Sequence, residues 1–173
     1  DFEDYDLAVA YRNINYVQRH FKRLKKRKKE KYSEVFSIDA KRIMEVKSRI
    51  VNTAFQSAME NRNIEVWNDF IATYEDEKQA GKAIQIRDSL AYSIACATDT
   101  YKSYDWFVRN FPEAEQVSHA KKLYQTRSRE FYEQYIADGE LGTINDFENE
   151  FAYFNYPETV NKSEDKRDRK SVV

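Results

Sequence analysis

The sequence predicts an all-α protein without β-sheet, built as an array of helical hairpins, and three observations support this. The 173 residues include only three glycines and two prolines, whereas a strand-rich fold needs many tight turns in which these residues are favoured. Lys, Glu, Arg, Ala and Gln are abundant and favour the helix. The pattern of apolar residues also recurs after 37 residues.

The repeat is clearest when residues 54–90 are aligned with residues 91–127. Between the identical positions, apolar residues keep their size class at spacings of three or four. Such spacings place side chains on one face of a helix. The identities pair Ala54 with Ala91, Ala58 with Ala95, Phe70 with Phe107 and Ala83 with Ala120. Each unit is therefore predicted to bury the same helix faces as its neighbour.

Each unit is predicted to contain one short and one long helix. The short helices are expected at 64–74, 101–111 and 143–152, and the long ones at 38–61, 76–98 and 113–138. Asn63 and Thr100 are equivalent and suit N-caps. Pro112 suits the first turn of a long helix, where no backbone N–H is needed. A further single helix is predicted from Tyr11 to Phe36.

The predicted organisation is one helical-repeat domain over residues 1–157 and a tail. It comprises divergent basic helices over 1–53, repeat units at 54–90, 91–127 and 128–157, and a disordered tail at 158–173. The third unit follows the second at an offset of 40 residues. The tail is predicted to be disordered because it has no apolar periodicity and is rich in charge.

The recurring motif is an alanine-rich helix, a polar break, then aromatic-x-x-Phe-x-x-x-aromatic and proline, as in Tyr104 to Pro112. It resembles the degenerate tetratricopeptide-like repeats of bacterial cell-envelope proteins, including outer-membrane assembly lipoproteins. The period here is longer than the standard repeat, and Glu75 replaces the proline in the first copy. The resemblance implies an α-solenoid that binds protein or peptide on a concave surface, in the periplasm or associated with the envelope. It implies no catalytic residue.

The net charge of −1 conceals an asymmetry along the chain. Residues 1–50 carry 14 Lys and Arg against 8 Asp and Glu, whereas residues 51–173 carry 15 against 22. The basic residues concentrate in one run, which consists of Lys22, Arg23, Lys25, Lys26, Arg27, Lys28, Lys29 and Lys31. The run could neutralise phosphates of nucleic acid or anionic lipid. The alternatives are a solvated helix face or contact with acidic residues.

The repeat also separates surface positions from core positions. Trp106 aligns with Asp69 and Asp146, so it is predicted to lie on the surface, where indoles often anchor partners. By contrast, Trp67 aligns with Tyr104 and Ile144 and is predicted to be core. Tyr124 aligns with polar Arg87. The candidate partner-binding residues are Trp106, Arg109 and Tyr124. The competing interpretation of Trp106 is packing against the next unit.

No constellation of residues points to catalysis, a metal or a cofactor. His20 and His119 lack Cys or His at ligand spacing. Cys96 aligns with Met59 in the repeat, so it is predicted to be a small apolar core residue. No glycine-rich phosphate loop and no membrane-spanning apolar run is present. The sequence predicts a non-enzymatic protein- or peptide-binding scaffold, with an electrostatic adaptor for nucleic acid or anionic membrane as the alternative.

Overall fold

The computed structural model describes residues 6–137, with side chains as far as residue 134. These residues form helices and connecting turns, and no strand occurs among them. The helices are α1 (Leu7–Arg23), α2 (Lys26–Phe36), α3 (Ala40–Asn61), α4 (Ile64–Thr73), α5 (Gln79–Thr98), α6 (Tyr101–Asn110) and α7 (Val117–Ala137). The prediction of an all-α protein is confirmed for this part of the chain.

Two compact units divide the chain, Asp1–Arg127 and Ser128–Val173. The first contains α1 to α6 and the start of α7; of the second, the structure describes only the remainder of α7. The predicted helix at 143–152, the predicted tail at 158–173 and most of the third repeat unit lie outside the described residues.

The 37-residue period reappears in the helix bounds and in the turns. Helices α4 and α6 begin and end 37 residues apart, and so do the C-termini of α3 and α5. Between the long and the short helix of each pair stands one left-handed residue, Arg62 (φ 44°) and Asp99 (φ 49°). The next residue caps the short helix through its side chain: Asn63 accepts from Glu65 N, and Thr100 forms a capping box with Ser103. The predicted N-caps are confirmed.

Aromatic side chains fill the space between the helices, as the repeat predicts. Phe55 of α3 meets the ring of Trp67 edge-on at 5.3 Å, and Tyr92 of α5 meets Phe107 in the same way at 5.3 Å. Trp67, Phe70, Tyr74, Tyr104, Phe107 and Phe111 are all buried. Alanines at the shared positions are also buried, because a small side chain lets neighbouring helices approach closely. They are Ala54, Ala58, Ala83, Ala91, Ala95 and Ala120.

Helix α1 packs against α3 and contributes Tyr11 to this core. Tyr11 meets the ring of Tyr74 edge-on at 4.7 Å, and its hydroxyl donates a 2.6 Å hydrogen bond to Glu77 Oε1. Lys47 of α3 forms an ion pair with the same carboxylate oxygen at 2.5 Å. The polar contacts tie α1, α3 and the turn before α5 together around a half-buried carboxylate.

Three predicted helices have bounds that are wrong by three residues or more. The helix expected from Tyr11 to Phe36 breaks at Leu24 and Lys25, whose ψ angles of 142° and 151° are extended. Continuing it would hold a dense run of like charges on consecutive turns, which repel one another. At the break, Lys29 Nζ donates to Lys22 O at 3.1 Å and so satisfies a carbonyl at the end of α1.

The second wrong bound concerns α7, which begins at Val117 instead of residue 113. Pro112 therefore lies in a turn and not in the first turn of the helix. Ala114 N donates to Phe111 O, and Val117 N donates to Ala114 O, each at 3.1 Å. The same two-step turn precedes α5, 37 residues earlier, so the third wrong bound is that of α5, which begins at Gln79 instead of residue 76. Because this turn recurs with the repeat, it forms at Pro112 as well, although proline is favoured in the first turn of a helix.

Candidate partner-binding surface

The two tryptophans occupy opposite environments, as the repeat predicts. Trp67 is 1% exposed and Trp106 is 38% exposed. The Trp106 indole rests edge-on against the ring of Phe111 at 5.5 Å, so one side of it is supported by the core and the other faces outward. The predicted difference in exposure is confirmed.

Polar groups of α6 border the exposed indole. Arg109 Nε donates a 2.8 Å hydrogen bond to Asp105 Oδ1, one helical turn earlier, and the two side chains form an ion pair. Asn110 Nδ2 donates to the carbonyl oxygen of Trp106 at 2.8 Å. Arg109, a candidate partner-binding residue, is exposed. The indole is therefore flanked by a cation and an anion on the same helix.

Arg87 reaches the same region from α5, the long helix paired with α6. Its guanidinium lies 5.2 Å from the centroid of Phe111, the residue that supports Trp106. Its Nη1 is 3.3 Å from Asn68 Oδ1 on α4. One arginine thus links the outward side of α4 to the end of α6, and a cation over an aromatic face is attractive.

The position of Arg87 is fixed by the buried carboxylate of Asp88. Asp88 is 6% exposed and its Oδ1 accepts from Nε and Nη2 of Arg87 at 2.9 Å and 2.7 Å. A buried acid is stable only when it is paired in this way. We refer to Asn68, Arg87, Asp105, Trp106 and Arg109 as the α4–α6 surface.

Sequence reasoning missed Arg87 and Asp88 as parts of this surface. Adjacent residues point in different directions on a helix, so the sequence Arg-Asp does not predict an ion pair between the two side chains. One signal was present, because Asp88 is charged where Val51, 37 residues earlier, is apolar, and the structure shows Val51 buried. A charge at a core position demands a partner.

Tyr124 does not belong to the surface, contrary to its predicted exposure. It is 3% exposed. The prediction rests on the alignment with Arg87, because a polar residue at an equivalent position indicates that the position is exposed to solvent. The guanidinium of Arg87 instead lies over the ring of Phe111 and reaches Asn68, which leaves its side chain 21% exposed, so this repeat position is half-buried in one copy and buried in the other.

The basic run is exposed, but it is divided between two helices. Lys22 and Arg23 end α1, Lys25 lies in the break, and the other members lie on α2. Every member is exposed except Lys29, which is half-buried near the ring of Phe21. On α1, an open cleft of about 260 Å³ is lined by Tyr16, Arg19, His20 and Arg23. The rings of Tyr16 and His20 contact each other at a tilt of 51°, with their centroids 4.2 Å apart.

His119 and Cys96 lie near Tyr92 but form no metal site. Tyr92 Oη is 2.5 Å from His119 Nδ1. Burial, together with hydrogen bonding to the thiol of Cys96, raises the pKa of Tyr92 to about 12. Among the described residues, no three His, Cys, Asp or Glu side chains converge as metal ligands. Within the same range, no helix combines the length and apolar character needed to cross a bilayer.

Comparisons with known proteins gave no match: no family model, curated protein or solved structure matches the chain.

Proposed function

We propose that the chain is a non-enzymatic scaffold of tetratricopeptide-like helical hairpins that binds a protein or peptide segment. The recurrence of helix bounds, caps and hydrogen bonds after 37 residues carries the proposal. Hairpins that repeat in this way stack on their neighbours and present successive helix faces as one extended binding surface. The resemblance of the sequence supports a place in a bacterial envelope assembly.

The α4–α6 surface is the proposed contact region. Trp106 offers a large, rigid apolar ring, and tryptophan is among the residues that contribute most to protein interfaces when they become fully buried. Arg87 and Arg109 add guanidinium groups whose positions are set by Asp88 and Asp105. Since these groups are already oriented, binding loses less side-chain entropy. A partner segment with an apolar anchor flanked by polar groups fits this surface.

A photo-crosslinking experiment in the native host tests the proposal. A photoreactive phenylalanine analogue replaces Trp106 in one variant and exposed Gln85 of α5 in a matched control. We expect a discrete protein crosslink from position 106 that is absent or much weaker from position 85. Equal crosslinking from both positions would contradict a specific contact at α6.

The identified partner then allows the affinity to be measured. Trp106→Ala should weaken binding by ~2 kcal/mol or more, which is about thirtyfold in Kd, and should leave the helical content unchanged. Binding to an aromatic surface should respond weakly to salt, whereas binding to phosphates falls steeply and log-linearly with salt. An unchanged Kd for Trp106→Ala would remove Trp106 from the binding surface.

A further inference from the structure

Helix α2 is largely exposed. It contains no buried residue and takes no part in the extensive helix–helix packing of the described residues, although Lys29 reaches back to α1. Tyr32, Val35 and Phe36 are 41%, 59% and 60% exposed. A helix of 11 residues gains little stability from its own hydrogen bonds in water. Its exposed apolar side chains therefore need an explanation.

The apolar side chains of α2 share one face. Their spacings of three and four residues place them together, since successive residues turn by about 100° around the axis. By the same geometry, Lys28 falls within the apolar arc, and Lys29 and Lys31 lie at its two edges. The three lysines therefore lie on the same side of α2 as the apolar residues, in the N-terminal half of the helix, and the apolar residues follow in the C-terminal half.

The opposite face of α2 carries both of its acids. Glu30 and Glu34 lie there together with Lys26 and Arg27, and Lys26 Nζ is 3.9 Å from Glu30 Oε1. Two cations and two anions make this face neutral. The apolar face carries three lysines and no acid. The charge of α2 is therefore directed to the side on which Tyr32, Val35 and Phe36 are exposed.

We propose that this face of α2 docks on the surface of an anionic lipid bilayer. Tyr32, Val35 and Phe36 would enter the boundary between headgroups and acyl chains, where amphipathic helices bury their apolar face. Lys28 and Lys31, which are both exposed, would extend along that boundary and place their ammonium groups among lipid phosphates, while Lys29 stays bonded to the end of α1. The two glutamates would face water, where the negative membrane does not repel them.

The distribution of side chains favours a bilayer over nucleic acid as the occupant. Val35 has no ring to stack on a base and no group to hydrogen-bond with one, yet it is among the most exposed apolar residues of the chain. A bilayer requires apolar insertion and lysines on the same side, and α2 has both. The proposal uses a different helix from the α4–α6 surface and does not depend on it.

Sedimentation of the full chain with vesicles tests the proposal. Vesicles of phosphatidylcholine with about one third phosphatidylserine should bind the protein, and vesicles of pure phosphatidylcholine should bind it much more weakly. Two variants remove two charges each from opposite faces. Lys28→Gln with Lys31→Gln should lower the partition coefficient about tenfold or more, whereas Lys26→Gln with Arg27→Gln should lower it about twofold.

A third variant, Val35→Ser with Phe36→Ser, tests the apolar contribution while keeping every charge. It should also bind anionic vesicles at least about tenfold more weakly. Because none of the substituted residues is buried, all three variants should unfold at the wild-type temperature. Equal losses in the two charge variants, or full binding by the serine variant, would overturn docking of this face. So would stronger binding to duplex DNA than to anionic vesicles at the same salt concentration.

Discussion

The side chain of Gln79 donates a 2.7 Å hydrogen bond from Nε2 to Asn52 Oδ1, which joins the start of α5 to α3. Thirty-seven residues later, Gln116 donates from Nε2 to Ser89 Oγ at 3.3 Å and joins the start of α7 to α5. The acceptors differ in chemistry and the distances differ, but donor and acceptor occupy equivalent positions of the repeat. The period of the sequence therefore extends beyond the apolar core to polar contacts between consecutive long helices.

Phe107→Ala should destabilise the protein strongly. The Phe107 ring is fully buried between Tyr92 and Phe111, so its removal leaves a cavity that surrounding helices fill only in part. The expected loss is ~3–5 kcal/mol in the free energy of unfolding. Urea titration followed by circular dichroism measures it, with exposed Gln85→Ala as the control. A loss below ~1 kcal/mol would show that the ring is not part of the core.

Much of the fold could be predicted because each position of residues 54–127 has an equivalent 37 residues away, so two residues indicate its environment. The N-caps, the bounds of α4 and α6 and the six buried aromatic residues were accessible for this reason. Where only one copy exists, as over residues 7–36, pattern alone could not locate the break at Leu24. The break depends on repulsion between lysines and on a side-chain cap by Lys29, which apolar periodicity does not register.

Glu77→Gln should destabilise the protein at neutral pH and much less in acid. Burial raises the pKa of Glu77, but hydrogen bonds from Lys47 and Tyr11 outweigh that effect, so the folded pKa lies below the ordinary value of 4.5. The ionised form is therefore favoured in the native state. Its contribution to stability is complete above the unfolded pKa and is lost as the pH falls through the folded pKa.

The change should cost ~1–3 kcal/mol at pH 7, because glutamine cannot form the ion pair with Lys47. Urea midpoints of wild type and variant measured between pH 7 and pH 3 should converge toward the acid end. The exposed Glu60→Gln on α3 is the matched control. A difference that stays constant across this range would mean that the charge of Glu77 contributes nothing.

Arg127→Gln should raise the pKa of Asp99 toward its ordinary value of 3.8. Arg127 donates to both carboxylate oxygens, at 3.0 Å and 2.6 Å, and Tyr104 donates to Oδ1 at 2.6 Å. These hydrogen bonds, that of Arg127 foremost, hold the pKa of Asp99 below 3.8. Carboxyl-carbon NMR titration measures the shift, and Tyr104→Phe should give a smaller rise. An Asp99 pKa unaffected by Arg127→Gln would show that the pair does not form in solution.

The candidate surface was less accessible to sequence reasoning than the core. Trp106 could be assigned to the surface because both of its equivalents are acidic. Tyr124 could not be placed from the polarity of Arg87, since a guanidinium can be half-buried when an acid and an aromatic ring accompany it. Those companions come from other elements, so the environment of Arg87 is visible only in three dimensions.

The exposure of the two tryptophans can be measured before any partner is identified. The experiment needs two proteins that each keep one tryptophan, Trp67→Phe and Trp106→Phe. Iodide cannot enter the core, so it should quench the fluorescence of Trp106 strongly and that of Trp67 weakly, as their exposures of 38% and 1% require. Because Trp67 packs between Phe55 and Phe70, Trp67→Phe should also lower the unfolding temperature, whereas Trp106→Phe should change it little. Stronger quenching of the protein that keeps only Trp67 would show that the buried and exposed faces of these helices are assigned wrongly, and the α4–α6 surface would lose its basis.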